Sequence, residues 1–525
     1  MSPLLRAPHL TGDRIGGRFA MIDSQTAETS ARYKENCLRH MLLRQTVLYL
    51  PAQVVGPVFQ LISVIAWTHY LSPERMGVFA LVTAAQELAY IATLFWFTLY
   101  TMRYHDVAAP EADRRRFLDT ESAVILGSAI VSSAVALGLV GIIETEWSGS
   151  LVLAAIAYIV TRAVVTQLTD RARTEHDTLS YTILQIAWPV LGLLFGIALV
   201  TQFGGTADMV LWGYTLAQAF SIVVAMTRLE IGTRPQAASR DIVRMALKYG
   251  LPLLLGAVFV WVASNGLRFI VETFEGAAAV GLLTVGLALG LRAANFAAML
   301  VTAAAFPVAM KRAREGGMAD GQEQLVRNGV LLLVAMLPAA AGLWAISTPF
   351  VRLVVSAPFQ EMTLQVLPMA IVVGTLRNLR LHYGEQVFLL HEKPMVPLYN
   401  DIIDALLAII GGTVGLWLGG LPGAVTGAAV GACLTLLVTI GCGWHWYRYA
   451  LPPADIAKVV LATVIMTFAV TRFDIAPTVG SLVLATGMGA VVYAVAIAAL
   501  YPAAALKALA MLSAVVPWRR ARTPS

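Results

Sequence analysis

The chain has 525 residues, of which 58% are hydrophobic and 13% are charged, and its formal net charge is +6. A soluble domain carries about 25% charged residues, so this composition excludes an ordinary soluble protein and predicts a membrane protein. The basic residues are scattered through short loops rather than gathered on one polar domain, which argues against nucleic-acid binding. The three cysteines offer neither a disulfide framework nor metal-ligand spacing, so we expect no metal and no cofactor.

The first 40 residues are of mixed polarity and lack the apolar core, about 7–15 residues long, of a secretory signal. We expect them to form a weakly ordered cytoplasmic arm.

From residue 41 onward, apolar stretches recur that are long enough to cross about 30 Å of hydrocarbon. There are fourteen, centred near residues 58, 88, 132, 160, 192, 218, 260, 288, 337, 373, 407, 433, 463 and 490. Helices satisfy their backbone groups within each segment, so they are the spanning form expected for runs of this length. The predicted fold class is therefore all-α, a polytopic membrane protein with about 14 transmembrane helices.

The loops between these segments alternate in charge. The even loops and the two termini hold 31 of the 37 lysines and arginines, whereas the odd loops hold only Arg75, Arg352 and Arg472. By the positive-inside rule, the even loops and both termini are predicted to be cytoplasmic.

A repeat relates the two halves. The first span opens near Pro51 and the chain re-enters at 77–89, while the seventh opens at Pro252 and re-enters at 281–293. Six spans separate the copies, so the halves keep one orientation, as in a parallel repeat about an axis along the membrane normal. We predict an N-terminal arm (1–40), an N-terminal six-helix lobe (41–230), a C-terminal six-helix lobe (240–450), two extra transmembrane helices (451–505) and a cytoplasmic tail (506–525).

Several segments resemble bacterial polysaccharide flippases, the O-antigen and exopolysaccharide translocases of the multidrug, oligosaccharidyl-lipid and polysaccharide exporter superfamily. The first outside turn is THYLSPERMGVFAL (68–81), and the seventh helix starts at KYGLPLLLGAVF (248–259). The hairpin of helices seven and eight is GLRFIVETFEGAAAVGLLTVGLAL (266–289), and the tenth-to-twelfth region begins at GEQVFLLHEKP (384–394). Family members often have an acidic residue before the arginine of the seventh helix, but here Leu267 precedes Arg268.

The resemblance implies a flippase, not an enzyme, that moves polyprenyl-(pyro)phosphate-linked oligosaccharide across the inner membrane by alternating access. Its partners would be the lipid-linked oligosaccharide, membrane lipid, and polysaccharide polymerase and chain-length proteins. A cation-coupled multidrug exporter and a peptidoglycan-precursor flippase of the same superfamily are the alternatives. A surface enzyme is disfavoured, because the longest predicted outside loop, Thr348 to Met362, contains no histidine.

Charged side chains inside the spans mark a polar cleft, since each costs at least ~2.5 kcal/mol to insert. For the phosphate of the cargo we predict Arg292 and Arg162, followed by Arg377 and Arg268. We expect Arg377 to reach the lipid headgroups together with Arg380.

The carboxylates Glu87, Asp401 and Asp404 are candidate sites for coupling to protons or sodium, because an intramembrane carboxylate can change its protonation state. A plain interfacial role is an equal alternative for Asp401 and Asp404. The spans hold more arginines than acids, which favours an anionic cargo over a cationic drug.

Glycines recur at every fourth position in the eleventh and twelfth spans. This spacing clears one face of each helix for close contact. The residues are Gly411, Gly415, Gly419, Gly423, Gly427 and Gly431.

Overall fold

The computed structural model describes residues 54–143, 149–503 and 506. The predicted N-terminal arm and nearly all of the predicted tail lie outside these residues, as does Cys37. Within the described ranges the regular structure is helical and no strand occurs. The predicted all-α fold class is confirmed.

Eleven described helices are long and apolar enough to cross a membrane. Two of them contain a break in helical geometry, at Gly276 and at Gly419–Gly420, that divides each into two helices. With the shorter apolar helix Val54–Tyr70, fourteen crossing helices result, as predicted. In chain order they are α1 (Val54–Tyr70), α2 (Pro73–Tyr104), α3 (Glu111–Ile143), α4 (Gly149–Thr174), α5 (Thr178–Phe203), α6 (Ala207–Met226), α7 (240–275), α8 (277–316), α9 (Met318–Ala345), α10 (Ala357–Leu390), α11 (395–418), α12 (421–447), α13 (Pro453–Thr471) and α14 (Val479–Leu500).

Most of the predicted outside loop Thr348 to Met362 is helical, and the connection between α9 and α10 is shorter than predicted. A short helix, Ser347–Val354, occupies its first half, and α10 begins at Ala357. Val351 is fully buried in the core cluster that also holds Trp67 of α1. The segment folds because it has an apolar surface to pack against, which its local sequence does not reveal.

The two lobes meet where α2 crosses α8. A Cβ atom placed on Gly77 would overlap the carbonyl oxygen of Ala277, and one placed on Gly281 would overlap that of Pro73. Residues 73 and 77 are spaced as residues 277 and 281 are, so exchanging the two halves maps the contact onto itself. A parallel repeat about an axis along the membrane normal produces this reciprocity.

The glycine pattern of the eleventh and twelfth spans produces a close hairpin. A Cβ atom on Gly415 or Gly423 would overlap the carbonyl oxygen of the other residue, and one on Gly427 would overlap that of Gly411. The backbones of α11 and α12 therefore touch along this face. Gly419 has a different role from the predicted one, because it lies in the turn with Gly420, whose φ is +59°.

The two extra helices lie against the C-terminal lobe. The core of α13 contributes Met466 and Val470, which line a pocket with α9 and α14. Tyr493 of α14 donates a hydrogen bond to the carbonyl oxygen of Val334 in α9, at 2.8 Å. Helices α13 and α14 thus extend one flank of the molecule.

We expect Gly427→Ala to lower the thermal unfolding midpoint of the purified protein, because the new methyl group overlaps backbone that cannot move aside. Overpacking of this kind costs about 1–3 kcal/mol. Gly441→Ala is the matched control in the same helix, since a Cβ atom there meets open space. Alanine is the better helix former by roughly 0.5–1 kcal/mol, so the control should be neutral or stabilising. Equal midpoints for the two variants would show that the α11–α12 contact is loose.

The predicted orientation is tested by labelling single cysteines with a membrane-impermeant maleimide in intact cells. Gln202 and Glu275, exposed near the ends of α5 and α7, should react from outside when replaced by cysteine in a cysteine-free background. Exposed Arg115 and Met318 should react only after permeabilisation. A reversed result at all four positions would invert the orientation.

Candidate functional site

A cavity of about 270 Å³ lies between the two lobes. Helices α1, α2, α4, α5 and α6 form one side of it, and α7 and α8 form the other. Two larger pockets, of about 440 and 490 Å³, border α9, α10, α13 and α14 and are almost wholly apolar. Of these three pockets the inter-lobe cavity is the polar one, with the lining residues Gln60, Ser63, Thr83, Glu87, Asn265, Arg268, Thr284 and Arg292.

Arg292 of α8 lines the cavity and reaches across it to α1. Its Nη1 donates to the carbonyl oxygen of Pro57 at 2.8 Å, and its Nη2 donates to Gln60 Oε1 at 3.3 Å. Both acceptors are neutral, and no carboxylate of the described chain forms an ion pair with it. Its charge is therefore solvated by dipoles alone.

Arg268 of α7 is linked to Glu87 of α2 through one amide. Arg268 Nη1 donates to Asn265 Oδ1 at 2.9 Å, and Asn265 Nδ2 donates to Glu87 Oε2 at 3.2 Å. Arg268 and Glu87 thus share a network without a direct ion pair. Leu267 is buried in the packing core of the C-terminal lobe, so an acidic residue at that position would point away from the cavity.

Arg162 of α4 lies behind the cavity lining. Its guanidinium carbon is 4.0 Å from the centroid of the Trp188 ring, a cation–π contact, and Trp188 itself lines the cavity. Within the part of the chain that the structure describes, Arg162 has no carboxylate at ion-pair distance. The tryptophan was not predicted, because it lies on another helix 26 positions along the sequence.

The structure places Arg377, Asp401 and Asp404 away from this cavity. Arg377 Nε lies 3.1 Å from Asp404 Oδ2, and Arg380 Nη1 lies 3.0 Å from Asp401 Oδ1 and also contacts Glu385. All five side chains are buried or nearly so, in a network between α10 and α11.

The expectation that Arg380 reaches the lipid headgroups is wrong, since it is 3% exposed. A π-helical turn, Arg380–Gly384, widens α10 at this point. Arg380 forms hydrogen bonds to the carboxylates of α11. These bonds take the place of the hydrogen bonds that a surface arginine makes to lipid headgroups and water.

Sequence reasoning missed most of the neutral residues of the cavity. Asn265 was the most accessible to prediction, since it lies three positions before Arg268 and therefore on the same face of α7. The aromatic residues of the lining carry no comparable signal, because only the packing of the helices decides which aromatic side chains meet at a cavity. They are Trp67, Phe79, Tyr158, Trp188 and Tyr214.

Solved structures of three transporters share this fold. The lipid II flippase MurJ in an inward closed conformation matches with a TM-score of 0.66 and 15% identity, over 87% of this chain and 99% of that one. An inward-facing multidrug resistance MATE family transporter of the MOP superfamily matches with a TM-score of 0.51 and 15% identity, over 76% and 97%. The MATE multidrug transporter DinF-BH in complex with R6G matches with a TM-score of 0.52 and 11% identity, over 78% and 96%.

No curated protein matches this chain by sequence. The profile of a family described as "polysaccharide biosynthesis protein" matches residues 68–364, which is more than half of the chain. The matched part includes every residue of the cavity lining except those of α1. The chain therefore belongs to this family of polysaccharide biosynthesis proteins, and its fold is that of the MurJ and MATE structures.

Proposed function

We propose that the protein is a flippase that moves polyprenyl-(pyro)phosphate-linked oligosaccharide repeat units across the bacterial inner membrane for polysaccharide biosynthesis. The observation that carries the proposal is the charge of the inter-lobe cavity. Arg268 and Arg292 line it and Arg162 lies behind Trp188, and none of the three has a carboxylate partner among the described residues. Glu87 is the single acidic residue of the lining, so the site has a net positive charge.

An anionic cargo explains this charge better than a cationic one does. Exporters of cationic drugs need carboxylates in the cleft, and here they are outnumbered by arginines. Two further carboxylates, Asp401 and Asp404 of the C-terminal lobe, are already held by Arg380 and Arg377. A lipid-linked phosphate supplies the missing negative charge, and arginine binds it with two parallel hydrogen bonds.

Arg292 is the proposed principal phosphate ligand, with Arg268 beside it, and Arg162, the other arginine expected to hold the phosphate, adds its charge from behind Trp188. Arg377 is the weakest of the four candidates, because Asp404 already occupies its guanidinium. The neutral partners of Arg292 matter here. A phosphate forms stronger, charge-assisted hydrogen bonds than a carbonyl or an amide oxygen does, so it displaces Pro57 and Gln60 from Arg292.

This exchange connects binding with movement of the lobes. The bonds from Arg292 to Pro57 and Gln60 join α8 of one lobe to α1 of the other. When phosphate replaces them, that joint between the lobes opens. Alternating access then proceeds by rocking of the lobes, while the lipid tail stays in hydrocarbon.

The protein is proposed to work between two faces of the inner membrane. Both termini are cytoplasmic, the cargo enters from the cytoplasmic face, and a polysaccharide polymerase with its chain-length protein receives it on the other face. Glu87 is the proposed coupling carboxylate, because it lines the cavity and has an amide rather than an arginine as its partner. Asp401 and Asp404 then have a structural role.

We expect Arg292→Ala to slow translocation of undecaprenyl-linked repeat units by roughly ten- to a hundredfold, the loss of one charge-assisted contact. Arg162→Ala should slow it less, because Arg162 lies behind Trp188 and acts through its charge. Arg292→Lys should restore part of the rate, since lysine keeps the charge but not the two-pronged geometry. Transport is measured in inverted vesicles at equal protein abundance. Exposed Arg352 provides the control substitution Arg352→Ala, which should transport normally. Normal transport by both cavity variants would make those arginines structural.

Glu87→Gln keeps the side-chain shape and an acceptor for Asn265 but cannot take up a proton. In proteoliposomes we expect this variant to lose the acceleration that a pH gradient gives the wild type. Glu361→Gln, at an exposed position of α10, should keep it. If Glu87→Gln responds fully to the gradient, coupling belongs elsewhere, and the Asp401–Asp404 network becomes the next candidate.

A further inference from the structure

Five aromatic side chains of the N-terminal lobe form a continuous wall of the cavity. We call Trp67, Phe79, Tyr158, Trp188 and Tyr214 the aromatic wall. Tyr214 is its centre, with its ring centroid 6.0 Å from Phe79, 6.1 Å from Trp188, 6.2 Å from Trp67 and 6.3 Å from Tyr158. Trp67 Nε1 also donates a hydrogen bond to the Tyr214 hydroxyl, at 3.2 Å. The rings therefore hold one another in place.

Two glycines of helix α5 make room for two of these rings, Tyr214 and Trp67. Trp188, Gly192 and Gly196 follow one another at every fourth position, so they share a face of the helix. A Cβ atom on Gly192 would overlap the Tyr214 ring, and one on Gly196 would lie 2.6 Å from Trp67 Cη2. The wall is thus built into fixed positions before any ligand arrives, which lowers the entropic cost of binding.

The opposite side of the cavity is polar. Helices α7 and α8 supply Asn265, Arg268, Thr284 and Arg292. Thr284 is 6% exposed, and its hydroxyl has no hydrogen-bond partner among the described residues. A buried hydroxyl that faces a cavity without a partner indicates a ligand that brings its own polar groups.

These two sides together suit a sugar ring. A pyranose presents C–H groups on its faces and hydroxyls around its edge. The C–H groups are attracted to the negative face of an aromatic ring, while the hydroxyls can bond to Thr284 and Asn265. A lipid or an inorganic anion would use the arginines but would leave the Thr284 hydroxyl without a partner among the described residues.

We propose that the aromatic wall binds the sugar that is directly attached to the phosphate of the lipid-linked cargo, and this proposal rests on the proposed function. The cavity of about 270 Å³ is slightly below the usual range of about 300–1,000 Å³ for ligand sites, so one ring with its phosphate suits it better than a whole repeat unit. The first sugar lies next to the phosphate, as the wall lies next to the arginines. Trp188 connects the two, since it belongs to the wall and contacts Arg162.

The test measures binding of two kinds of probe to the full-length protein in nanodiscs. One probe is undecaprenyl diphosphate, and the others are undecaprenyl diphosphate linked to glucose, galactose or N-acetylglucosamine. We expect the wild type to bind at least one sugar-linked probe more tightly than the sugar-free one. Tyr214→Leu should weaken binding of that probe by roughly three- to tenfold, the value of aromatic contacts, and leave the sugar-free probe unchanged. Arg292→Ala should weaken binding of both probes.

Two further variants separate recognition from folding. Tyr214→Phe keeps the ring and loses only the hydroxyl, so it should retain the preference for the sugar-linked probe. Phe97→Leu removes an equally buried aromatic ring of the same lobe, stacked on Phe117 away from the cavity, and should change neither affinity. The thermal unfolding midpoint of each variant is measured in parallel.

The outcomes distinguish the two proposals. If no sugar-linked probe binds more tightly than the sugar-free one, or if Tyr214→Leu weakens both probes equally, the aromatic wall is only packing and the inference is overturned. The phosphate site would survive either result, provided that Arg292→Ala weakens binding. If the wild type binds neither kind of probe, the proposed function itself fails.

Discussion

The cost of placing a charge in hydrocarbon organises this molecule. Two groups of arginines in the described helices meet this cost differently. Arg171 contacts Glu121 and donates to the carbonyl oxygen of Glu230 at 2.7 Å, and Arg380 is surrounded by carboxylates of α10 and α11. These charges are neutralised within one lobe, so they fix helices to one another. The second group is Arg162, Arg268 and Arg292, which have no carboxylate at ion-pair distance among the described residues and lie at or directly behind the cavity between the lobes.

Close backbone contact is the other constraint, and it operates at two scales. Within the C-terminal lobe, glycines let α11 and α12 touch along a whole face. Between the lobes, Gly77 and Gly281 let α2 and α8 cross with reciprocal contacts. Lipid gives helices little hydrophobic reason to associate, so van der Waals packing through small residues must hold them together. The lobes therefore join tightly at one crossing and leave a cavity beside it.

The cavity combines contributions that neither lobe has alone. The C-terminal lobe supplies the lining arginines and the hydroxyl of Thr284, which has no partner among the described residues, whereas the N-terminal lobe supplies the aromatic wall and Glu87. In the proposed function a single ligand, charged at its phosphate and amphipathic at its sugar, would contact both lobes at once. Such a ligand would couple its own binding to the relative position of the two lobes. Arg292 is the residue that would link them, because it bonds to α1 across the cavity.

The sequence by itself determined the fourteen helices, the repeat and the set of intramembrane charges, because hydrophobic length, glycine spacing and the insertion cost of charge are local properties of the chain. It also indicated that arginines outnumber acids in the spans. Only the tertiary structure decided which arginines are neutralised. Arg377 and Arg292 look alike along the chain, yet Asp404 lies beside one and only neutral oxygens lie beside the other. The same holds for Trp188 and Tyr214, whose contacts join helices distant in sequence. Ion pairing and ring stacking depend on distances of a few ångströms between helices, and those distances are set by how the helices pack.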